Sequence, residues 1–124
     1  MRHYNVLDLF CGCGGMSWGL AKKGFNIVAG IDIWDIALQT FQHNHKNAKA
    51  LNLDITDAAP LEVLNAIDIE PASIDVIIGG PPCQGFSKNT PASWRFLEDP
   101  QNQLYKSYLR FVKEIKPKIV IIEN

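Results

Sequence analysis

The chain predicts an α/β fold, a doubly wound parallel sheet with helices on both faces. Three observations carry that reading. Short apolar runs alternate with helix-like segments along the whole chain, the pattern of repeated strand–helix units. The run at 74–80, "IDVIIGG", is almost wholly apolar, as expected of a strand buried on both faces of a parallel sheet. The first strand-like run leads directly into a glycine cluster, the sequence form of a tight strand-to-helix turn.

The elements follow in order. "YNVLDLF" (4–10) reads as the first strand, "GCGG" as the turn, and "MSWGLAKKG" (16–24) as a helix ending on Gly24. "NIVAGID" (26–32) is the second strand and "WDIALQTFQHNH" (34–45) the second helix. A short third strand, about 48–54, precedes a helix at Pro60–Ile67, where proline suits the first turn. The fourth strand is 74–80, and 81–101 is loop-like, rich in proline, asparagine and serine. Leu104, Tyr108, Phe111 and Ile115 fall at helical spacing within 102–115, and "PKIVIIEN" (117–124) is a fifth strand. Repeated strand–helix units imply right-handed crossovers, and in this doubly wound topology the fifth strand is expected beside the fourth. A terminal strand this apolar and uncharged invites pairing with further chain, so the sheet is expected to be incomplete on its C-terminal side.

Bulk properties narrow the function classes. The 124 residues form one domain at most, with 47% hydrophobic and 20% charged residues and a formal net charge of −1. Near-neutral charge supplies no broad basic footprint for nucleic acid, so any such partner needs a local patch or another domain. Three cysteines, an odd number, argue against a disulfide scaffold and for a reducing cytoplasm. No signal peptide and no membrane span is expected. No metal site is expected either: Cys11 and Cys13 point apart in a turn, and His43 and His45 do not share a helix face.

Ligands of such sheets bind at the carboxyl ends of the strands. Gly12, Gly14 and Gly15 follow the first strand and let the backbone approach a ligand, with a helix N-terminus behind them. The pattern lacks the third glycine of a dinucleotide fingerprint, because Ser17 stands there, which makes a pyrophosphate cofactor less favoured. Asp32 ends the second strand, twenty residues after Gly12, where an acid grips ribose hydroxyls. Asp54 ends the third strand and can accept from an adenine amine, while Ile33 and Ile55 can sandwich the ring. Each has a plainer reading: Asp32 as a helix cap, Asp54 as a turn residue, Phe10 and the isoleucines as core. The coincidence at three successive strand ends favours the cofactor.

The stretch "GGPPCQGFS" (79–87) mounts Cys83 behind two prolines on the same rim. A nucleophilic cysteine wants exposure and a thiolate-favouring setting, which backbone N–H groups and Lys88 or Arg95 can provide. Glu123, at the end of the adjacent fifth strand, can reach the same pocket. Taken alone, either residue is equally read as an idle loop cysteine and a polar strand terminus.

"DLFCGCGGMSWGL", "GGPPCQGFS" and a strand ending "EN", in that order, resemble the DNA cytosine-5 methyltransferases over essentially all of the chain. The resemblance implies a Rossmann-like methyltransferase fold and S-adenosylmethionine as cofactor, with residues 1–124 as the N-terminal part of the catalytic domain. The target-recognition domain and the C-terminal helix completing the cofactor site have no counterpart here, so the chain is expected to be inactive alone. It further implies that Phe10, Ile33, Asp54 and Ile55 surround the adenine, Asp32 holds the ribose, and Gly12, Gly14 and Gly15 lie beside the methionine part. Pro82 and Leu104 would help line the site. Cys83 would be the nucleophile and Glu123 the group at ring nitrogen 3, held partly protonated by burial. Ser87, Lys88 and Arg95 are candidate phosphate contacts, and Trp94 and Phe96 either insert beside DNA or pack the loop. The implied partners are DNA with a flipped cytosine and the absent C-terminal half, in cis or as a separate subunit, at the nucleoid of a bacterial-type cytoplasm. Two departures stand out: Gln101 where the family commonly has arginine, and Trp34-Asp35 after the second strand. The competing readings are a non-catalytic cofactor- or partner-binding module and a transfer-RNA cytosine-5 methyltransferase.

Overall fold

A computed structural model describes residues 2–82 and 102–123. The strands are β1 (Asn5–Leu9), β2 (Asn26–Asp32), β3 (Lys49–Asn52), β4 (Val76–Gly79) and β5 (Ile119–Ile122). The helices are α1 (Gly15–Ala21), α2 (Asp35–Asn44), α3 (Pro60–Ala66) and α4 (Gln103–Ile115), with a short 3-10 turn at Pro71–Ser73. All pairings are parallel and the order is β3-β2-β1-β4-β5, so the winding reverses between β1 and β4. The doubly wound sheet and the place of β5 beside β4 agree with the sequence reading.

Alternation along the strands supplies both faces of the sheet. On one face Leu7, Leu9, Ile31 and Ile77 pack with Leu64 of α3 and with Tyr108, Phe111 and Ile115 of α4. On the other, Val6, Ile27, Val76 and Ile78 pack with Leu38 and Phe41 of α2. Two glycines are fixed by close approach. A Cβ on Gly30 would stand 2.5 Å from the Phe41 ring, and one on Gly79 would collide with the Leu9 carbonyl and lie 2.9 Å from Tyr108. Tyr108 directs its hydroxyl at the carbonyls of Ile77 (3.2 Å) and Ile121 (3.0 Å), tying α4 to β4 and β5. At the opposite end of the sheet, Asp75 accepts from Lys118 Nζ (2.5 Å), Arg2 (2.9 Å) and the Asn5 amide (3.0 Å). Those bonds, that from Lys118 foremost, hold its carboxyl below the usual carboxylate range.

Most elements are shorter than the sequence predicts, β4 and β5 included, and three of them for reasons visible in the backbone. α1 ends at Ala21 rather than Gly24, because the chain closes into a turn whose Gly24 has φ 88°. β1 stops at Leu9 because Phe10 takes φ 58°. β3 stops at Asn52, since Asp54 draws the chain into a turn by accepting the Thr56 amide at 2.9 Å. Among the described residues β5 pairs with β4 alone, and Ile119, Val120 and Ile121 are exposed, as expected of an incomplete sheet edge. No described helix is long and apolar enough to cross a membrane.

Candidate active site

The site forms where β1, β2 and β3 end. Phe10, with its left-handed backbone, turns the chain out of the sheet, and the Cys11 amide donates to the Ile31 carbonyl at 3.0 Å. The glycine turn is then clamped to β2 by Asp32. One carboxylate oxygen accepts the Gly12 amide at 2.8 Å and the other the Trp34 amide at 2.9 Å. Asp32 is therefore not the cap of α2, whose N-cap is Trp34. It brackets two loops, and the remaining lone pairs of each oxygen can still accept a ligand hydroxyl.

Asp54 makes a second, similar device. Its Oδ1 accepts the Thr56 amide (2.9 Å) and hydroxyl (2.7 Å), leaving Oδ2 for a ligand donor. The hydroxyl bond, seconded by the amide, lowers the carboxyl's pKa and keeps it charged and acceptor-only.

These carboxylates meet in one cavity of about 320 Å³, within the roughly 300–1,000 Å³ of small-molecule sites. Phe10, Ile33, Ile55, Pro82 and Leu104 line it with Asp32 and Asp54, so seven predicted cofactor residues converge. Ile31, Leu53, Thr56 and Gly80 complete the walls. Ile33 stands at the rim, 69% exposed, whereas Ile55 is 4% exposed and belongs mostly to the core. The donor set tests which ligand fits. Among the described residues the lining holds two carboxylates and neither lysine nor arginine, which disfavours phosphate. Apolar walls with carboxylates at two edges suit a nucleoside bearing hydroxyls, an exocyclic amine and positive charge, as S-adenosylmethionine does.

The glycines divide. Gly12, Gly14 and Gly15 lie outside that lining. Gly14 (φ 85°) is demanded by packing beneath it, since a Cβ would stand 2.6 Å from Phe41 and 2.8 Å from His45 Nε2. The buried His45 sits 3.1 Å from the Gly14 carbonyl through that nitrogen. Among the described residues Gly12 and Gly15 face open space, with nothing beyond the adjoining chain within 4 Å of an added Cβ.

Glu123 follows β5 and is anchored by its amide, which donates to the Gly79 carbonyl at 3.0 Å. A Cβ on Gly80 would lie 3.1 Å from its Oε2. The carboxyl thus stands over a residue of the cavity wall, three positions before Cys83. The burial expected for Glu123 is not found: among the described residues it is exposed, because β5 is the outermost strand.

The family model for C-5 cytosine-specific DNA methylases matches residues 4–124. The chain belongs to that family. It is 41% identical over 122 residues to the type II methyltransferase M.DdeI of Desulfomicrobium norvegicum, covering 97% of this chain and 27% of that protein. It is 39% identical over 119 residues to M.AgeI of Thalassovita gelatinovora, covering 96% and 27%. Among solved structures, one described as a prophage-encoded DNA modification methyltransferase of E. coli superposes with a TM-score of 0.74 at 35% identity, over 92% of this chain and 30% of that one. The S. pombe Dnmt2 methyltransferase superposes with a TM-score of 0.65 at 25% identity, covering 97% and 34%. The methylase chain therefore spans about a quarter to a third of these relatives.

Cys83, Ser87, Lys88, Trp94, Arg95, Phe96 and Gln101 lie outside the described residues. Cys11 is buried and its thiol pKa is pushed up, chiefly by burial and then by Asp8, so it is a poor nucleophile; Cys13 is exposed. Among the described residues no three His, Cys, Asp or Glu side chains could hold a metal ion. The sequence reading missed Thr56, for which Asp-x-Thr, a turn-forming spacing, was the available signal. It also missed Arg110 on the flank of the α4 core stripe, which donates to carbonyls of the turn after Asp54.

Proposed function

We propose that this chain carries the cofactor site and the nucleophile of an S-adenosylmethionine-dependent DNA cytosine-5 methyltransferase. The observation that carries the reading is the single cavity in which Asp32 and Asp54 meet the apolar walls, on the rim where β4 runs into Pro81-Pro82-Cys83. Asp32 would accept the ribose hydroxyls and Asp54 the adenine amine, with Phe10, Ile33 and Ile55 against the ring. Pro82 and Leu104 close the site, and the Gly12–Gly15 turn borders the amino-acid part. Bound there, the cofactor supplies a methyl group made electrophilic by its sulfonium.

Cytosine carbon 5 is too weak a nucleophile to take that methyl unaided. The Cys83 thiolate adds to carbon 6 of a base flipped from the duplex, forming an S–C bond and pushing electron density to ring nitrogen 3 and carbon 5. Glu123 would protonate or hydrogen-bond nitrogen 3 and so stabilise that charge. After transfer a base removes the carbon-5 proton, the C6–S bond breaks, and the thiolate leaves as the ring double bond reforms. Ser87, Lys88 and Arg95 would contact phosphates, in a protein acting at the nucleoid. The open β5 edge and the short span relative to its relatives support a C-terminal segment, in cis or as a separate subunit, as partner.

Two measurements test the reading. Calorimetric binding of S-adenosylhomocysteine to the chain should weaken at least tenfold in Asp32→Ala and Asp54→Ala, with folding preserved. Methyl transfer to DNA, assayed with a C-terminal methylase segment present, should yield 5-methylcytosine and be abolished by Cys83→Ser. A product methylated on the exocyclic nitrogen, or full activity of Cys83→Ser, overturns it.

A further inference from the structure

The turn that presents Asp54, Ile55 and Thr56 to the cavity is held from behind by one side chain of α4. Arg110 Nη2 donates to the carbonyls of Ile55 (2.7 Å) and Ala58 (2.8 Å), and both terminal nitrogens lie 3.4 Å from the Thr56 carbonyl. Among the described residues the guanidinium has no carboxylate partner. Its Nε is buried without any hydrogen-bond partner there. Among the described residues the terminal nitrogens are thus met by backbone carbonyls, at the cost of a buried Nε donor left without a partner. The arrangement is intelligible if the fork must be aimed at three carbonyls within four residues, which the single ammonium of a lysine cannot span.

We propose that Arg110 is a positioning residue that sets the purine specificity of the cofactor site. By fixing the 55–58 backbone it holds Thr56, whose amide and hydroxyl in turn hold Asp54 Oδ1. The other Asp54 oxygen is thereby kept where it accepts from a 6-amino purine and repels a 6-oxo purine. Arg110 is absent from the cavity lining, so it would act only through the turn it holds. The inference rests on the reading of Asp54 as the adenine acceptor.

The test uses Arg110→Lys and Arg110→Gln, the first keeping charge and stem should the second fold poorly. In the ligand-free chain, hydrogen exchange of the Thr56 and Asp57 amides should accelerate at least tenfold, while the Leu7 and Leu9 amides of β1 stay unchanged. The dissociation constants of S-adenosylhomocysteine and S-inosylhomocysteine are then compared by calorimetry. The wild-type chain should prefer the 6-amino ligand at least tenfold, and both Arg110→Lys and Asp54→Asn should collapse that ratio towards one. Wild-type exchange or a wild-type ratio in Arg110→Lys overturns the role of Arg110 while leaving Asp54 in place. A wild-type ratio near one overturns the adenine reading and the specificity role with it.

Discussion

Asp8 is an acid in the middle of β1, 2% exposed, accepting from Ser17 Oγ at 2.5 Å. Burial raises its pKa to about 7, with the Asp32 charge adding to the rise and the Ser17 bond opposing it. The folded chain therefore retains a proton that the unfolded chain, titrating near 3.8, has already lost. Folding stability should accordingly fall as pH rises from about 4 through about 7 and then level off. Asp8→Asn keeps the acceptor for Ser17 and removes the titration. Its melting temperature should exceed that of the parent at pH 8 by the equivalent of a few kcal/mol, the gap closing towards pH 5; parallel profiles would contradict this. Asp8 and Arg110 were illegible in the sequence, because each acquires its role only when another element packs against it. Asp32 and Asp54 were legible, because strand ends in a wound sheet converge wherever the intervening helices lead. Even so, both carboxylates also hold their own loops together, which spacing alone does not reveal.

Among the elements, β4 packs on β1 and α4 with little room to spare. Gly79 leaves just enough room for the Leu9 carbonyl and the Tyr108 ring. Gly79→Ala must displace backbone or a fully buried aromatic, so it should cost at least the roughly 1–3 kcal/mol typical of overpacking. Chemical denaturation should record a lower midpoint with an unchanged slope. The element pattern was readable because apolar runs separated by glycine and proline leave few alternatives. Boundaries were not: β3 ended two residues early because an Asp54–Thr56 turn outcompeted ladder bonds, and β1 because Phe10 adopts a backbone region that sequence does not announce for phenylalanine.

For the molecule as a whole, the doubly wound parallel sheet and the place of β5 beside β4 were readable from the repeated strand–helix units, while the full order β3-β2-β1-β4-β5 came only with the structure. The exposure of Glu123 was not readable either, since it depends on what stands beyond β5. The row Ile119, Val120 and Ile121 is between 39% and 51% exposed on an outer strand, an arrangement that favours strand pairing between copies. Val120→Lys should reduce concentration-dependent association of the 124-residue chain, read by sedimentation velocity. Equal association of the two proteins would show that the edge is not the sticky surface.

Gly80 belongs to the cavity wall and lies beneath the Glu123 carboxyl. On the proposed chemistry, the cavity side of this residue would face the methyl donor and its Glu123 side the base, so that a single bare α-carbon would stand between them. A methyl group has to travel only the distance between two molecules in contact, so any side chain at this point would act as a partition. The hydrogen at position 80 would then serve as a doorway between two chambers, leaving each reactant's own binding contacts intact while deciding whether the reactants touch.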